Sequence, residues 1–497
     1  MTPQAAGTEP NAATPLHLQI YSRYKSLIVR GRMAPGERVP SLRVLAVELG
    51  VARGTVEAAY DRLIGEGYLV AKGPAGTFVA DKAGSAAAVP ARRARAARAT
   101  PAAPPARHDS MGFYEDGKPP LLQMGLPALD AFPRKLWTRL LARHARTATA
   151  LTRPPAAGLP ALREALADYL HRSRGIEAHA QQIFILPAYT AALGLVAQTL
   201  LRRGDSCWIE TPGFPPTSHV LAQLGYRLAR IPLDEQGLDV AHGRDRHPGA
   251  RLAVVTPSHQ SPTGITMSLA RRNALLDWAG EHNAWIMEDD YDGEYRYRGH
   301  PLPALKSLDR VDRVLYCGTL SKVLFPGLRL AYLVVPESQR EAFGAACLRT
   351  LHGGCPELFQ AVAADFIREG HFARHIKRMR TLYARRRAML ADALAPYLGH
   401  GLSLELRDGG MHLLIGLPDH LDDVALARRG REAGYGLQAL TDWRDGEPGR
   451  RGLMVSFTNV ATPVQARELV ANLMAALQLP AAAPPGKTTG PGRRAPA

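Results

Sequence analysis

At 497 residues the chain is too long for one hydrophobic core, and a prior of roughly 100–200 residues per domain gives two to four units. Its balance of 46% hydrophobic and 22% charged residues excludes a chain that is disordered throughout, and no stretch approaches the ~18 uninterrupted apolar residues of a membrane span. A formal charge of +17 favours polyanionic partners through counterion release, while an Arg- and Ala-rich composition can equally be basic for solubility alone.

The opening MTPQAAGTEPNAATP lacks the basic-then-apolar pattern of a secretory signal and reads as a short disordered lead-in. From Leu16, the residues Leu18, Tyr21, Tyr24, Leu27 and Ile28 fall near helical spacing. After the turn APGERVP, Ser41 can cap a second helix, SLRVLAVEL, which Gly50 can end. A short turn leads into a third helix, RGTVEAAYDRLIGEG, and YLVAKGPAGTFVA then alternates around a glycine turn as a two-stranded wing would. Two short helices joined by a glycine turn describe a helix-turn-helix. Arg53, Gly54 and Thr55 open the third helix, where a recognition helix meets base edges and phosphates. Ser41 and Arg43 can grip the backbone of double-stranded DNA, and Lys72, Gly76 and Thr77 would set the wing against it.

Between about Asp81 and Ser110 alanine, proline and arginine dominate without hydrophobic periodicity, as in an unpacked linker. Arg92, Arg93, Arg95 and Arg98 there can add non-specific phosphate attraction. Residues 479–497 form a second low-complexity stretch, read as a disordered tail. The expected domains are thus 15–80, a linker at 81–110, and a large unit at 111–478.

In that large unit short apolar runs alternate with amphipathic helices. GLPALREALADYLHRSRG is predicted helical, with Leu162, Leu166, Tyr169 and Leu170 on one face. IFIL, CWIE, LAVVTP, AWIM and VLYC read as strands, with AYTAALGLVAQTLL and RRNALLDWAGEH as helices among them. The alternation argues for an α/β fold with a mainly parallel sheet covered on both faces. Helical patterns dominate from about Pro336 to Arg387, and LSLEL, MHLLIGL and GLMVSFTNV are candidate strands of a smaller α+β unit. The four cysteines (Cys207, Cys317, Cys347 and Cys355) show neither a CxxC pair nor metal-type spacing, so reduced, buried thiols in a cytoplasmic protein are expected.

Ligands on such sheets lie beyond the carboxyl ends of the strands. Two ends carry reactive groups: EDDYDGEYRY from Glu288 and CGTLSKVLFPGLRL from Cys317. Alternation puts Asp289 and Tyr291 on one face and turns Asp290 away. A carboxylate, a phenol, a lysine and an arginine suit a phosphorylated pyridine aldehyde. Lys322 can form an imine with the aldehyde, Asp289 can pair with the ring nitrogen, Tyr291 can bond the ring oxygen, and Arg329 can clamp the phosphate. Thr319 and Ser321 flank the lysine with hydroxyls, and Tyr189 and Thr190 open a helix whose free N–H groups favour a phosphate. Phe214, just after a strand, can stack on a flat heterocycle.

VPSLRVLAVELGVARGTVEAAYDRLIGEGYL resembles the winged-helix signature of GntR-type bacterial regulators. Together with TPSHQSPTG, EDDYDGEYRY and GTLSKVLFPGLRLAYLVVP in that order, the chain resembles the MocR/GabR subfamily of that family. The resemblance spans roughly Pro15–Ala80 and Gly112–Leu477. It implies a winged helix-turn-helix joined to a fold-type I aminotransferase-like domain that binds pyridoxal 5′-phosphate (PLP), usually as a homodimer. It also implies that Lys322 is the imine lysine, Asp289 the pyridinium partner and Tyr291 the phenol at the ring oxygen. Arg329, Thr319, Ser321, Tyr189 and Thr190 match phosphate ligands.

The sequence departs from the family pattern at four points. Ala188 stands where glycine is usual, LTRPPAAG lacks a common tyrosine, Ser261 replaces an aromatic, and Met454 replaces the arginine that holds a substrate carboxylate. A regulator that senses PLP or an amine effector is therefore the first expectation. An active aminotransferase with an accessory DNA-binding domain is the second, and a cofactor-free dimerisation platform is the third.

Overall fold

In the first of the chain's two units (Met1–Ala106 and Arg107–Ala497), three helices close on a small aromatic and aliphatic core. The computed structural model describes residues 15–81, 118–146, 154–297, 303–350, 354–399 and 401–480. The expected lead-in lies outside these residues, as do the linker beyond Asp81 and the tail beyond Pro480. Helix α1 (Leu16–Val29) turns Ile20, Tyr21, Tyr24 and Ile28 inward, at the spacing of one helical face. Helix α2 (Leu42–Leu49) starts at Ser41, whose hydroxyl accepts from Val44 N (3.3 Å), and ends at Gly50 with φ 63°. Only glycine takes that left-handed turn at little cost, which lets α3 (Arg53–Gly65) follow within three residues. Strands β1 (Leu69–Ala71) and β2 (Thr77–Val79) pair antiparallel as the wing. Val56, Ala59, Tyr60 and Leu63 of α3 meet Leu69 and Val79 in one core, and Tyr60 Oη donates to Pro40 O.

Eight strands form the sheet of the second unit: β3 (Ile183–Leu186), β4 (Ser206–Thr211), β5 (Arg227–Asp234), β6 (Gly237–Leu238), β7 (Ala250–Val255), β8 (Trp285–Asp290), β9 (Val314–Thr319) and β10 (Ala331–Val334). Their order is β3-β10-β9-β8-β7-β4-β5-β6. The run from β9 through β8, β7 and β4 to β5 is parallel. β10 runs antiparallel to both its neighbours and β6 antiparallel to β5. The central strands are buried on both faces, with Trp208, Ile286, Val314 and Leu315 each fully enclosed. Four further strands, β11 (Ser403–Glu405), β12 (His412–Leu417), β13 (Gln438–Ala439) and β14 (Arg451–Ser456), form an antiparallel sheet in the order β11-β12-β14-β13. Helices His371–Leu394 and Pro463–Leu477 contribute to its core.

The expected strands are present, and helices occupy the span predicted helical after Pro336. Sequence reasoning missed β5 and β10. β5 reads RLARIPLD, with charges and a proline on its exposed positions, so no continuous apolar run marks it. β10 follows β9 after a connection, residues 320–330, without a long helix, and reverses direction, which strand–helix alternation does not predict. The four cysteines are buried and unpaired, as expected.

Candidate cofactor site and nucleic-acid interface

Arg43 and Arg53 are exposed at the openings of α2 and α3, with Gly54 exposed and Thr55 half-buried beside them. Ala52 N-caps α3 without a side-chain hydrogen bond, so the first turn keeps free N–H groups that suit phosphate oxygens. Lys72 lies over the Phe78 ring at 5.1 Å, and Gly76 has φ 105° at the wing's turn. Sequence reasoning missed Arg38, whose guanidinium packs so closely that a Cβ on Gly76 would meet its Nε at 2.8 Å. Behind this face Glu66 binds Lys25 (2.7 Å) and the Tyr21 hydroxyl, with Arg62 over the Tyr21 ring. The Lys25 and Tyr21 hydrogen bonds bring the Glu66 carboxyl down to about 2. Arg62 and Lys25 are thereby tied to the fold, whereas Arg43 and Arg53 make no ion pair among the described residues.

In the second unit the chemistry gathers at the carboxyl ends of β4, β7, β8 and β9. Glu210, at the end of β4, accepts from Thr256 N (3.1 Å), Thr256 Oγ1 (2.6 Å) and Gln260 Nε2 (3.1 Å). Gln260 also donates to Pro212 O and Ser261 O and accepts from Thr263. These bonds hold the loop from Thr256 to Gly264 against two strand ends. Sequence reasoning did not single out Glu210 or Gln260. Side chains that bind backbone at a distance leave no local pattern.

Asp289, Phe214, Tyr189, Trp443 and Arg444 line one cavity of about 410 Å³. The Asp289 side chain makes no hydrogen bond or ion pair among the described residues, and burial, with Asp290 nearby, pushes its carboxyl well above the usual range. Asp290 points the other way, as alternation predicts, to Arg174 (2.8 Å) and the Tyr316 hydroxyl (2.7 Å). Phe214 sits between the rings of Tyr189 (5.8 Å) and Trp443 (5.7 Å). The 441–443 turn closes over it through Gly213 N to Trp443 O.

Lys322 lies outside that lining but within electrostatic reach of Asp289. Its amine donates to Gly125 O (3.1 Å), and burial lowers its pKa. Gly125 has φ 69°, and a Cβ there would collide with the Lys322 amine. Tyr291 is half-buried, with Ser261, Asp292 and His259 at its hydroxyl. Thr319 and Ser321 are half-buried, and Thr319 Oγ1 accepts from Ser321 N (3.1 Å). Arg329 is exposed at φ 53°, and Thr190 lies in the first turn of Tyr189–Leu200. None of Thr319, Ser321, Arg329 and Thr190 lines the cavity of Asp289 and Phe214.

Met454 is fully buried in an apolar cluster with Leu414, Leu440 and Trp443, against which Met124 and Phe214 pack. Arg444, on the cavity wall, is a cation that sequence reasoning missed; its buried Nε has no hydrogen-bond partner.

These groups fit a phosphorylated pyridine aldehyde. A buried carboxyl without a partner among the described residues faces the cavity, the amine of a half-buried lysine bonds a backbone carbonyl, and aromatic rings form a wall.

Residues 16–79 match the gntR family of bacterial regulatory proteins, and residues 127–441 match the class I and II aminotransferases. The chain is 35% identical over 94% of both chains to the probable rhizopine catabolism regulatory protein MocR of Rhizobium meliloti. It is 33% identical to the pyridoxine biosynthesis transcriptional regulator PdxR of Corynebacterium glutamicum, over 90% of this chain and 93% of that one. Among solved structures it is similar to LysN, the α-aminoadipate aminotransferase of Thermus thermophilus complexed with N-(5′-phosphopyridoxyl)-L-leucine. That likeness has a TM-score of 0.65 and 27% identity, and covers 72% of this chain and 91% of that one. A winged helix ahead of an aminotransferase fold, with relatives of the same two-part build, makes this chain a member of the MocR/GabR subfamily of GntR transcriptional regulators, DNA-binding proteins whose cofactor is PLP.

Proposed function

We propose that the aminotransferase-like unit is a sensor of PLP, or of an amine that exchanges onto it, and that its state sets the DNA affinity of a homodimeric regulator. One observation carries this reading: the amine of half-buried Lys322 lies within electrostatic reach of a buried carboxyl, Asp289, that has no partner among the described residues, in a chain that also carries a winged helix. When bound, PLP supplies an aldehyde that condenses reversibly with a primary amine.

Lys322 is the amine that holds the aldehyde carbon. Burial lowers its pKa and so enlarges the neutral, nucleophilic fraction of that amine. Asp289 carries the proton that burial keeps on it and can pass it to the ring nitrogen, forming a charge-assisted pair. The Tyr291 hydroxyl donates to the ring oxygen, and Phe214 flanks the ring and keeps water out. Thr319, Ser321, Arg329 and the N-terminal turn at Tyr189 and Thr190 receive the phosphate.

The apolar surroundings of Met454 favour this reading over an active aminotransferase. Met454 offers a substrate carboxylate no charge-assisted hydrogen bond, which forfeits a few kcal/mol of affinity relative to an arginine at that position. An effector without a carboxylate, or PLP itself, avoids that cost.

Absorbance and DNA binding, followed together on the purified full chain, test the proposal. The expected result is a yellow protein whose affinity for DNA flanking its own gene changes on adding PLP or a suitable amine. Lys322→Ala loses both the colour and the response. A colour that survives Lys322→Ala, or an affinity indifferent to PLP and every amine tried, sinks it.

A further inference from the structure

Asp292, which the reading above leaves unused, is a buried carboxylate with 1% side-chain exposure and no hydrogen bond to either oxygen among the described residues. His259 Nδ1 lies 3.2 Å from Oδ2, and the Tyr291 hydroxyl also faces this carboxylate. The same nitrogen lies 3.0 Å from the Tyr291 hydroxyl. The imidazole cannot swing away. Gly264 (φ 71°) and Gly410 (φ 91°) press their backbones against it, and a Cβ on Gly264 would come within 2.9 Å of His259 Nε2. His412, 5.9 Å from the ring of His259, bonds Pro262 O (2.8 Å) and helps fix the loop.

One nitrogen thus faces both a phenol oxygen and a carboxylate, and two proton arrangements compete. If Nδ1 is bare, it accepts the Tyr291 proton and turns its lone pair toward the Asp292 charge. The carboxylate then has no donor at all. If Nδ1 carries the proton, it donates to the Tyr291 oxygen and its positive end faces the carboxylate. The charge on Asp292 favours the second arrangement.

We propose that Asp292 fixes the tautomer of His259 with a proton on Nδ1, so that Nδ1–H donates to the Tyr291 oxygen and the tyrosine keeps its own proton for the ring oxygen of the cofactor. This rests on the reading that Tyr291 meets that oxygen. Asp292 and His259 are positioning residues acting through Tyr291. The other charged or titratable groups around the pair are Lys322 and Asp289 toward the cofactor, His412 on β12, Tyr297, Arg407 beside Gly264, and Arg174, Tyr295 and Arg296 in the cleft behind.

Long-range ¹⁵N–¹H spectra of the full chain with labelled histidine read the tautomer without cofactor, and His259→Gln assigns the signal. The expected result is a proton on Nδ1 in the unmodified chain, retained in Asp292→Asn, which keeps an acceptor, and moved to Nε2 in Asp292→Leu. A bare Nδ1 in the unmodified chain overturns the proposal, and needs no variant to fold.

In the PLP-loaded protein, Asp292→Leu is expected to move the pH midpoint of the visible band by about one unit, the scale of a nearby charge or hydrogen bond. In a Tyr291→Phe background the same change is expected to move it by far less. Equal movement in both backgrounds, or none in either, means that Asp292 does not act through Tyr291 and overturns the proposal. Colour that persists in Lys322→Ala sinks the sensor reading instead and leaves the tautomer result standing.

Discussion

At Gly125 the site and the fold share one residue. Its φ of 69° lies in the region that favours glycine, and its carbonyl accepts from the Lys322 amine. Gly125→Ala is expected to cost roughly 1–2 kcal/mol of stability from the backbone alone. The added Cβ would also collide with the amine, so PLP affinity is expected to fall by about tenfold or more, one RT ln 10 step or beyond. Titrating the visible absorbance of the variant checks this, with a melting curve to confirm that it folds. Unchanged affinity would show that the amine does not need this position. Asp289, Tyr291 and Lys322 were legible in the sequence because each sits at or just beyond a strand end marked by an apolar run. Gly125, Glu210, His259 and Asp292 were not singled out, since their roles depend on groups that are distant in the chain or in an adjacent loop. Met454 was legible as a departure, but its apolar neighbours were not; they come from four other segments.

Among the elements, the helix-turn-helix and wing were the most legible, since a serine cap, a glycine stop and helical spacing all act within a few residues. The order of the large sheet was only partly so. Parallel strands with continuous apolar runs announced themselves, while β5 hides behind polar outward positions and β10 enters against the direction of its neighbours. The start of α3 offers a test of local reasoning. Ala52 has extended backbone angles, φ −63° and ψ 142°, but no side-chain oxygen for the first N–H groups. Ala52→Ser is expected to add about 1 kcal/mol to the local stability of α3. That corresponds to roughly fivefold slower hydrogen exchange in its first turn. Exchange measured on the full chain checks it, and unchanged rates would mean that another group already satisfies those donors. The cap lies beside Arg53, so the same variant shows whether a pre-ordered first turn tightens DNA binding.

For the whole molecule, a sensor must pass a chemical event at Lys322 to residues that touch DNA, and the two contributions can be separated by salt. A protein that neutralises phosphates loses affinity linearly in log[salt], with a slope set by the number of contacts. Arg43→Ala and Arg53→Ala each remove one exposed cation from the openings of α2 and α3, where DNA contact is proposed. Each is expected to reduce the magnitude of the slope by about one. Lys322→Ala removes no cation from that face. Its slope under cofactor-free conditions is expected to match that of the unmodified chain, while its response to PLP is lost. Fluorescence anisotropy on operator DNA at several salt concentrations measures all three variants, and sedimentation of the complex gives the number of chains bound, two for the proposed dimer. If Lys322→Ala changes the slope by as much as either arginine, the second unit takes part in phosphate contact. The division of labour between a reading unit and a sensing unit then fails.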